Sequence, residues 1–205
     1  MAAIDLRKER KDLYNPPVGT VELVDVPPMK YLAIDGTGDP NTAPAYTEAV
    51  AALYAVAYAL KMRRKRENPA NDYVVMPLEG FWWMADGTFY SPEARENWAW
   101  TMLIRQPDDV TAEQFAEARE QVAAKKAIPR LVALRFEELA EGKAAQTMHI
   151  GPYAAEAPTI ALLHDFIAAQ GHTAQGKHHE IYLGDPRRAA PERLKTILRQ
   201  PIEAR

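Results

Sequence analysis

Two stretches of this 205-residue chain end alike, and each closes the same order of predicted elements. Thr101-Met102-Leu103-Ile104-Arg105-Gln106-Pro107 is echoed by Lys195-Thr196-Ile197-Leu198-Arg199-Gln200-Pro201, with the shared ending Ile/Leu-Arg-Gln-Pro. Ahead of each copy the hydrophobic periodicity reads strand pair, helix, strand, strand. A short match alone is common in a chain of this length; the same match at equivalent places of two parallel element orders is not. The pattern predicts an α+β fold: a pseudo-twofold duplication of a βαββ unit, antiparallel sheets with helices on one side, and a ligand groove between the halves. The expectation is a single domain over 1–205, with halves of about 18–107 and 129–203 joined by a helix at 111–126. At this length such a domain can bury a substantial core.

Taken in order, Ile4 to Tyr14 reads as a short helix or arm, stopped by Asn15-Pro16-Pro17. Val18 to Val26 and Met29 to Ile34 read as strands around Pro27-Pro28, and Asp35 to Asn41 as a connector. That connector lacks the glycine spacing and the Lys-Ser/Thr ending of a phosphate loop. Asn41 or Thr42 can cap a helix running to about Arg66, with Val50, Leu53, Tyr54, Ala57 and Leu60 on its buried face. Tyr73 to Met76 reads as a strand, followed by the aromatic run Pro77 to Trp83 with its single carboxylate, Glu79. Ser91-Pro92-Glu93 reads as a turn. Trp98 to Arg105 is a strand with Trp98, Trp100, Met102 and Ile104 on one face. Thr111 and Gln114 form a capping box for a helix Ala112 to Lys126. Leu131 to Phe136 and Ala145 to Ile150 read as a hairpin around Glu141-Gly142-Lys143, before a helix Pro158 to Ala169 and a last strand Leu194 to Arg199.

Between those last two elements lies His178-His179-Glu180-Ile181-Tyr182-Leu183-Gly184-Asp185-Pro186. Ile181 and Leu183 alternate with Glu180 and Tyr182, so a carboxylate and a phenol share one face of a strand. Such a face is either solvated or the floor of a pocket. His178-His179 reads as an exposed lead-in to the strand.

Several function classes drop out. Net charge is −3, with both signs spread along the chain, which argues against nucleic acid as a partner. The basic run Lys61 to Arg66 falls at a helix end, where cations are favoured, and reads as solvated. With no cysteine there is neither disulfide nor thiolate, which suits a reducing cytoplasm. The five histidines show no His-x-x-x-His or His-Glu-x-x-His spacing, so no metal and no cofactor are expected. A single serine, Ser91, without a Gly-x-Ser-x-Gly elbow sets serine catalysis aside. The longest apolar run, Ala49 to Leu60, is too short to span a bilayer. A soluble cytoplasmic protein, a monomer or weak homodimer, is expected.

What remains is an aromatic supply near carboxylates. Trp82, Trp83, Trp98 and Trp100 fall on paired predicted strands, which cannot hide all their faces in one core; some rings should line a cavity. Rings around a carboxylate suit a planar, aromatic or cationic ligand.

These motifs occur together in a recognisable order. Val24-Asp25-Val26-Pro27-Pro28-Met29-Lys30, Leu32-Ala33-Ile34-Asp35-Gly36, Pro77-Leu78-Glu79-Gly80-Phe81-Trp82-Trp83, His149-Ile150-Gly151-Pro152-Tyr153 and His179-Glu180-Ile181-Tyr182-Leu183 resemble the stand-alone GyrI-like small-molecule-binding proteins over essentially the whole chain. The resemblance implies paired βαββ units and a pocket glutamate among aromatics that takes bulky, flat, often cationic molecules. It also implies that such a protein can open the strained cyclopropane of DNA-alkylating cyclopropanoid natural products by water addition, a detoxification. Residue by residue, the resemblance implies Glu180 as the pocket glutamate, with Trp82, Trp83, Tyr153 and Tyr182 around it. The chemistry of water addition then makes Glu180 the expected base and Tyr153 the expected donor, and Trp100 and Glu79 are expected as further ligand contacts. Glu79 is followed by Gly80 where Ile181 follows Glu180, which leaves a pocket role and a structural ion pair both open for it. The alternative is a non-catalytic, multidrug-type binder of flat hydrophobic cations; a third, a topoisomerase-modulating interaction protein, has only the family name behind it. Relatives that regulate transcription carry a preceding DNA-binding domain; only about seventeen residues precede the first predicted strand here, so that role is not expected in cis.

Overall fold

The computed structural model of the protein describes residues 3–87 and 95–204; the predicted turn at Ser91-Pro92-Glu93 lies outside them. Among the described residues there are five α-helices and nine strands. The contacts resolve into two compact units, one of Met1–Leu6, Met29–Met76 and Trp82–Leu139, the other of Arg7–Pro28, Pro77–Phe81 and Ala140–Arg205.

In the first unit, β2 (Met29–Thr37) pairs antiparallel with β4 (Trp98–Arg105) on one side and with β5 (Arg135–Leu139) on the other. The register sets Leu32 opposite Ile104, Ile34 opposite Met102 and Gly36 opposite Trp100, so the apolar face predicted for the Trp98 strand forms. Helix α3 (Pro44–Glu67) covers that face with Ala49, Leu53, Val56, Ala57 and Leu60, all fully buried. Its start differs from expectation. Pro44 at the first helical position makes Ala43 the cap, and Asn41 is held instead by the Asp39 carboxylate. Nor is its basic end merely solvated. Arg64 is 4% exposed and reaches Asp109 at 2.6 Å, while Lys61 and Lys65 both meet Asp72, because positions three and four apart share a helix face. Helix α4 (Ala112–Ala123) opens with the predicted capping box, in which Thr111 and Gln114 exchange side-chain and backbone hydrogen bonds.

The second unit is a sheet of β1 (Glu22–Val26), β6 (Gly142–Ile150), β9 (Lys195–Ala204) and β8 (His178–Tyr182), in that order, with β7 (His172–Ala174) also on β9. Helix α5 (Ala157–Ala169) lies on one face, where Leu163 and Ile167 pack against Ala145, Leu198 and Ile202. On the other face come α2 (Lys11–Tyr14), just after α1 (Leu6–Glu9), with Leu13 fully buried. Strand β3 (Leu78–Met84) belongs to the second unit up to Phe81 and to the first from Trp82.

The element order β2-α3-β3-β4 recurs as β6-α5-β8-β9, with the short β7 inserted after α5, so the sequence echo closes each βαββ series. Both echoed arginines, Arg105 and Arg199, are buried in the closing strand. Three local expectations fail. Tyr73–Met76 makes only an isolated bridge from Tyr73 to Ile4, and Leu131–Ala133 is a 3₁₀ turn, with the strand starting at Arg135. The predicted hairpin between 131–136 and 145–150 does not form either: β5 joins β2, and β6 has β1 and β9 on its two edges, which leaves it no edge to offer.

Gly36 shows how tightly the first unit is packed. A Cβ there would lie 2.1 Å from the Trp100 ring, which is fully buried. Alanine normally suits a strand better than glycine, yet Gly36→Ala should destabilise by about 1–3 kcal/mol through overpacking. Urea unfolding monitored by tryptophan fluorescence will report it as a lower midpoint.

Candidate functional site

Strand β8 carries two different sites, because alternate side chains point to opposite faces. Toward the α2 side point His179 and Ile181, both fully buried. His179 is held by two carboxylates: Nε2 lies 3.0 Å from Glu79 Oε2 and Nδ1 lies 3.0 Å from Glu141 Oε2. Glu79 also accepts from the Tyr14 hydroxyl at 3.3 Å. Glu141 accepts from Arg199 Nη1 at 3.1 Å, and the same guanidinium donates to Gln146 Oε1 and to the Leu13 carbonyl. The register explains the meeting, since His179, Arg199 and Gln146 are successive cross-strand partners on β8, β9 and β6. Phe81 packs on the His179 ring at 4.5 Å between centroids.

Burial alone would raise the Glu141 carboxyl, but the His179 and Arg199 charges outweigh it and hold the group down to about 2. Burial likewise works against a charged His179, and the two carboxylates outweigh it, so its pKa is raised. The expectation that His178-His179 is exposed is therefore overturned: both lie inside β8, at 8% and 0% exposure. The alternation that puts Ile181 in the core puts His179 beside it, which was legible in the sequence once the strand is started at His178. Of the two roles open to Glu79, the structure supplies the ion pair; its partner His179 points away from the Glu180 face.

On that other face, under α5, stand His178, Glu180 and Tyr182. Glu180 is 8% exposed, and the Tyr182 hydroxyl donates to its Oε2 at 2.7 Å. His178 Nε2 lies 3.6 Å from Glu180 Oε1. The Tyr153 ring meets the Tyr182 ring edge to face, 5.4 Å between centroids, and remains 39% exposed. Tyr153 belongs to the 3₁₀ turn Tyr153–Ala155, which Glu156 follows as the residue capping α5. Glu156 is buried, and its carboxyl is held far above the ordinary carboxylate range, by burial first and then by the negative charge of Glu180. No spacing rule marks Glu156 in the sequence, since one glutamate before a helix is commonplace.

The structure thus brings Glu180, Tyr182 and Tyr153 together and adds Glu156 and His178. The predicted tryptophans form a cluster in the other unit. Trp82 meets Trp98 at 5.5 Å and Tyr46 at 6.3 Å, and Tyr46 meets Trp100 at 5.4 Å. Trp100 is fully buried, with its indole N–H on the Gly38 carbonyl at 3.3 Å. Trp83, the neighbour of Trp82, is half-buried and points to the opposite face of β3. Among the described residues no group of three or more histidines and carboxylates is arranged to hold a metal, and no helix is long and apolar enough to cross a membrane.

The sequence pattern of the GyrI-like small molecule binding domain matches residues 19–203. A conserved protein from Listeria innocua, described as uncharacterized, is 41% identical with a TM-score of 0.91, over 98% of this chain and 100% of that one. Two structures described as a hydrolase from Listeria innocua are each 39% identical over the same shares of the chains, with TM-scores of 0.85 and 0.88. No curated protein matches the chain.

The Glu141 network predicts how stability varies with pH. Glu141 has a folded value below its ordinary 4.5, so its contribution is full above that pH and is lost as pH falls toward about 2. His179 has a folded value above 6.5, so its contribution is full below that pH and is lost as pH rises through the folded value. Glu141→Gln should cost roughly 3–5 kcal/mol, because two buried cations lose their shared counter-charge. Urea midpoints measured against pH should fall in the wild type below pH 4.5 and lose the Glu141 share of that slope in the variant, while Asp12, Asp72 and Asp185 keep theirs.

Proposed function

The chain belongs to the GyrI-like small molecule binding domain family, and from that membership we propose that it is a hydrolase that adds water to the cyclopropane of cyclopropanoid DNA-alkylating compounds. The observation that carries the reading is Glu180: a buried carboxylate that accepts the Tyr182 hydroxyl at 2.7 Å, beside a half-exposed Tyr153 ring. The likeness, at 39% identity, to structures described as a hydrolase supports water as the co-reactant.

In such a substrate the cyclopropane is conjugated to a dienone. Attack of water on the ring carbon breaks the strained C–C bond, and its electron pair flows to the carbonyl oxygen as the ring system becomes an aromatic phenolate. A base must take a proton from the attacking water, and a donor must meet the oxygen that gains charge. We take Glu180, buried beside aromatic rings, for the first task. The Tyr182 proton is committed to Glu180, so the Tyr153 hydroxyl is our choice for the second. Trp82 and Trp83 remain the ring contacts that the family implies, with Trp100 a proposed third; Glu79, closed into its ion pair with His179, is left out. Quenching of tryptophan fluorescence on titrating the alkylator into Trp→Phe variants tests the rings one at a time.

The second reading is a binder that sequesters flat hydrophobic cations, with Glu180 as counter-charge and the rings as stacking walls. The same site chemistry favours it where the ligand carries a charge and no cyclopropane.

Incubation with a cyclopropane-bearing alkylator should give, by mass spectrometry, a product heavier by one water. Glu180→Gln should lose turnover on the order of 10²-fold or more while keeping the binding isotherm. Near wild-type turnover by that variant removes Glu180 as the base, and binding without any hydrated product in the wild type leaves the sequestering role.

A further inference from the structure

The reaction written above needs an acid as much as a base. Protonating the dienone oxygen draws electrons from the cyclopropane and makes its carbon the better target for water. Glu180 acts as the base in that step, and the Tyr182 proton is already committed to it. The Tyr153 hydroxyl stabilises the oxygen by a hydrogen bond without giving up its proton, so the proton itself must come from another group. A second carboxyl stands in the same cluster. Glu156 arrives on the segment that brings Tyr153, and the Tyr153 ring lies on Tyr182, the hydroxyl donor to Glu180. Glu156 is only 5% exposed, and its Oε1 is buried without a hydrogen-bond partner. Opposite Tyr182 in the β8–β9 register lies Thr196, fully buried, whose hydroxyl faces the Glu156 carboxyl and partly offsets the rise in its pKa. A buried carboxyl with one oxygen unanswered is costly unless a ligand or a proton transfer uses it.

We propose that Glu156 is a second catalytic carboxyl of the Tyr153–Tyr182–Glu180 site, the proton donor to the substrate oxygen that gains charge as water adds. The inference rests on the hydrolase reading. In the step, a water O–H proton passes to Glu180, and the water oxygen bonds the ring carbon. The C–C bond breaks toward the ring system, and the Glu156 proton goes to the former carbonyl oxygen, giving a phenol. Glu180 ends neutral and Glu156 ionised; a proton returned from Glu180 to Glu156 resets the pair, so substrate plus water gives the hydrated product with nothing left over. Like charges this close do not ionise together at neutral pH, and burial together with Glu180 keeps the proton on Glu156. The titratable groups around Glu156 are Glu180, His178 and Tyr182 on β8, His149 on β6 across from Thr196, and Tyr153 and His164 on its own segment and helix.

The deciding measurement is a carboxyl ¹³C NMR titration of glutamate-labelled protein, made without substrate, together with the kcat–pH profile. Glu156, assigned by its loss in Glu156→Gln, should titrate well above the exposed glutamates, and Glu180→Gln should bring it back toward them. In turnover, Glu156→Gln should cut kcat on the order of 10²-fold with KM little changed, and abolish the decline of kcat on the alkaline side. An ordinary midpoint for Glu156, or a variant with the wild-type profile, overturns the inference and leaves Glu180 as base untouched. A raised midpoint in a protein that hydrates no cyclopropanoid overturns the hydrolase reading itself.

Discussion

The second unit is organised around a buried charge cluster. His179, Arg199, Glu79 and Glu141 are each withdrawn from water, and removing ions of this kind from solvent costs several kcal/mol apiece before any pairing. The cluster persists because each charge is answered more than once. Glu141 serves two cations, His179 bridges two carboxylates, and the guanidinium finishes on a carbonyl and an amide. Such an arrangement tolerates little displacement, so it ties β6, β8, β9, the start of β3 and the Leu13 backbone into one register. A slip of β8 by one residue would put His179 on the α5 side and strand both carboxylates.

That fixed register is also what aims Glu180. The residue after His179 must face the other way, and Tyr182 two positions on must share its face. One five-residue strand therefore holds a charge network on one side and a carboxylate with aromatic company on the other. The two sides differ in how their charges are answered. Around Glu79 and His179 four charged groups answer one another, with one Glu141 oxygen left over; around Glu156 one carboxyl faces another, that of Glu180.

In the first unit, apolar packing does the corresponding work. Helix α3 presents a face of small residues and leucines to the β2–β4 pair, and Gly36 gives the Trp100 ring room to lie flat against the strand. Tyr46 connects that ring to Trp82, which in turn meets Trp98. On the opposite face of the same strands, Asp35 bonds Thr101 and the Arg135 fork, so β4, β2 and β5 are joined by polar contacts as well.

Local rules fixed much of this in the sequence itself. Alternation located the β4 face and set Glu180 beside Tyr182, Thr111 and Gln114 marked the start of α4, and the repeated Arg-Gln-Pro ending marked the two closing strands. Each depends on spacing within a few residues, which a chain carries wherever it folds. Tertiary structure decided the rest. Which strand takes the edge of β6, and so that 131–136 and 145–150 form no hairpin, depends on β1 and β9 arriving from distant parts of the chain. That Arg64 is buried follows from Asp109 lying beside it. That the His179 pKa is raised in spite of burial needs Glu141 and Glu79 to converge on it, and that the Glu156 carboxyl is pushed up needs burial first and Glu180 second. Pairing, burial and protonation are properties of neighbours in space, and the neighbours of these residues are set only when the strands have found their partners.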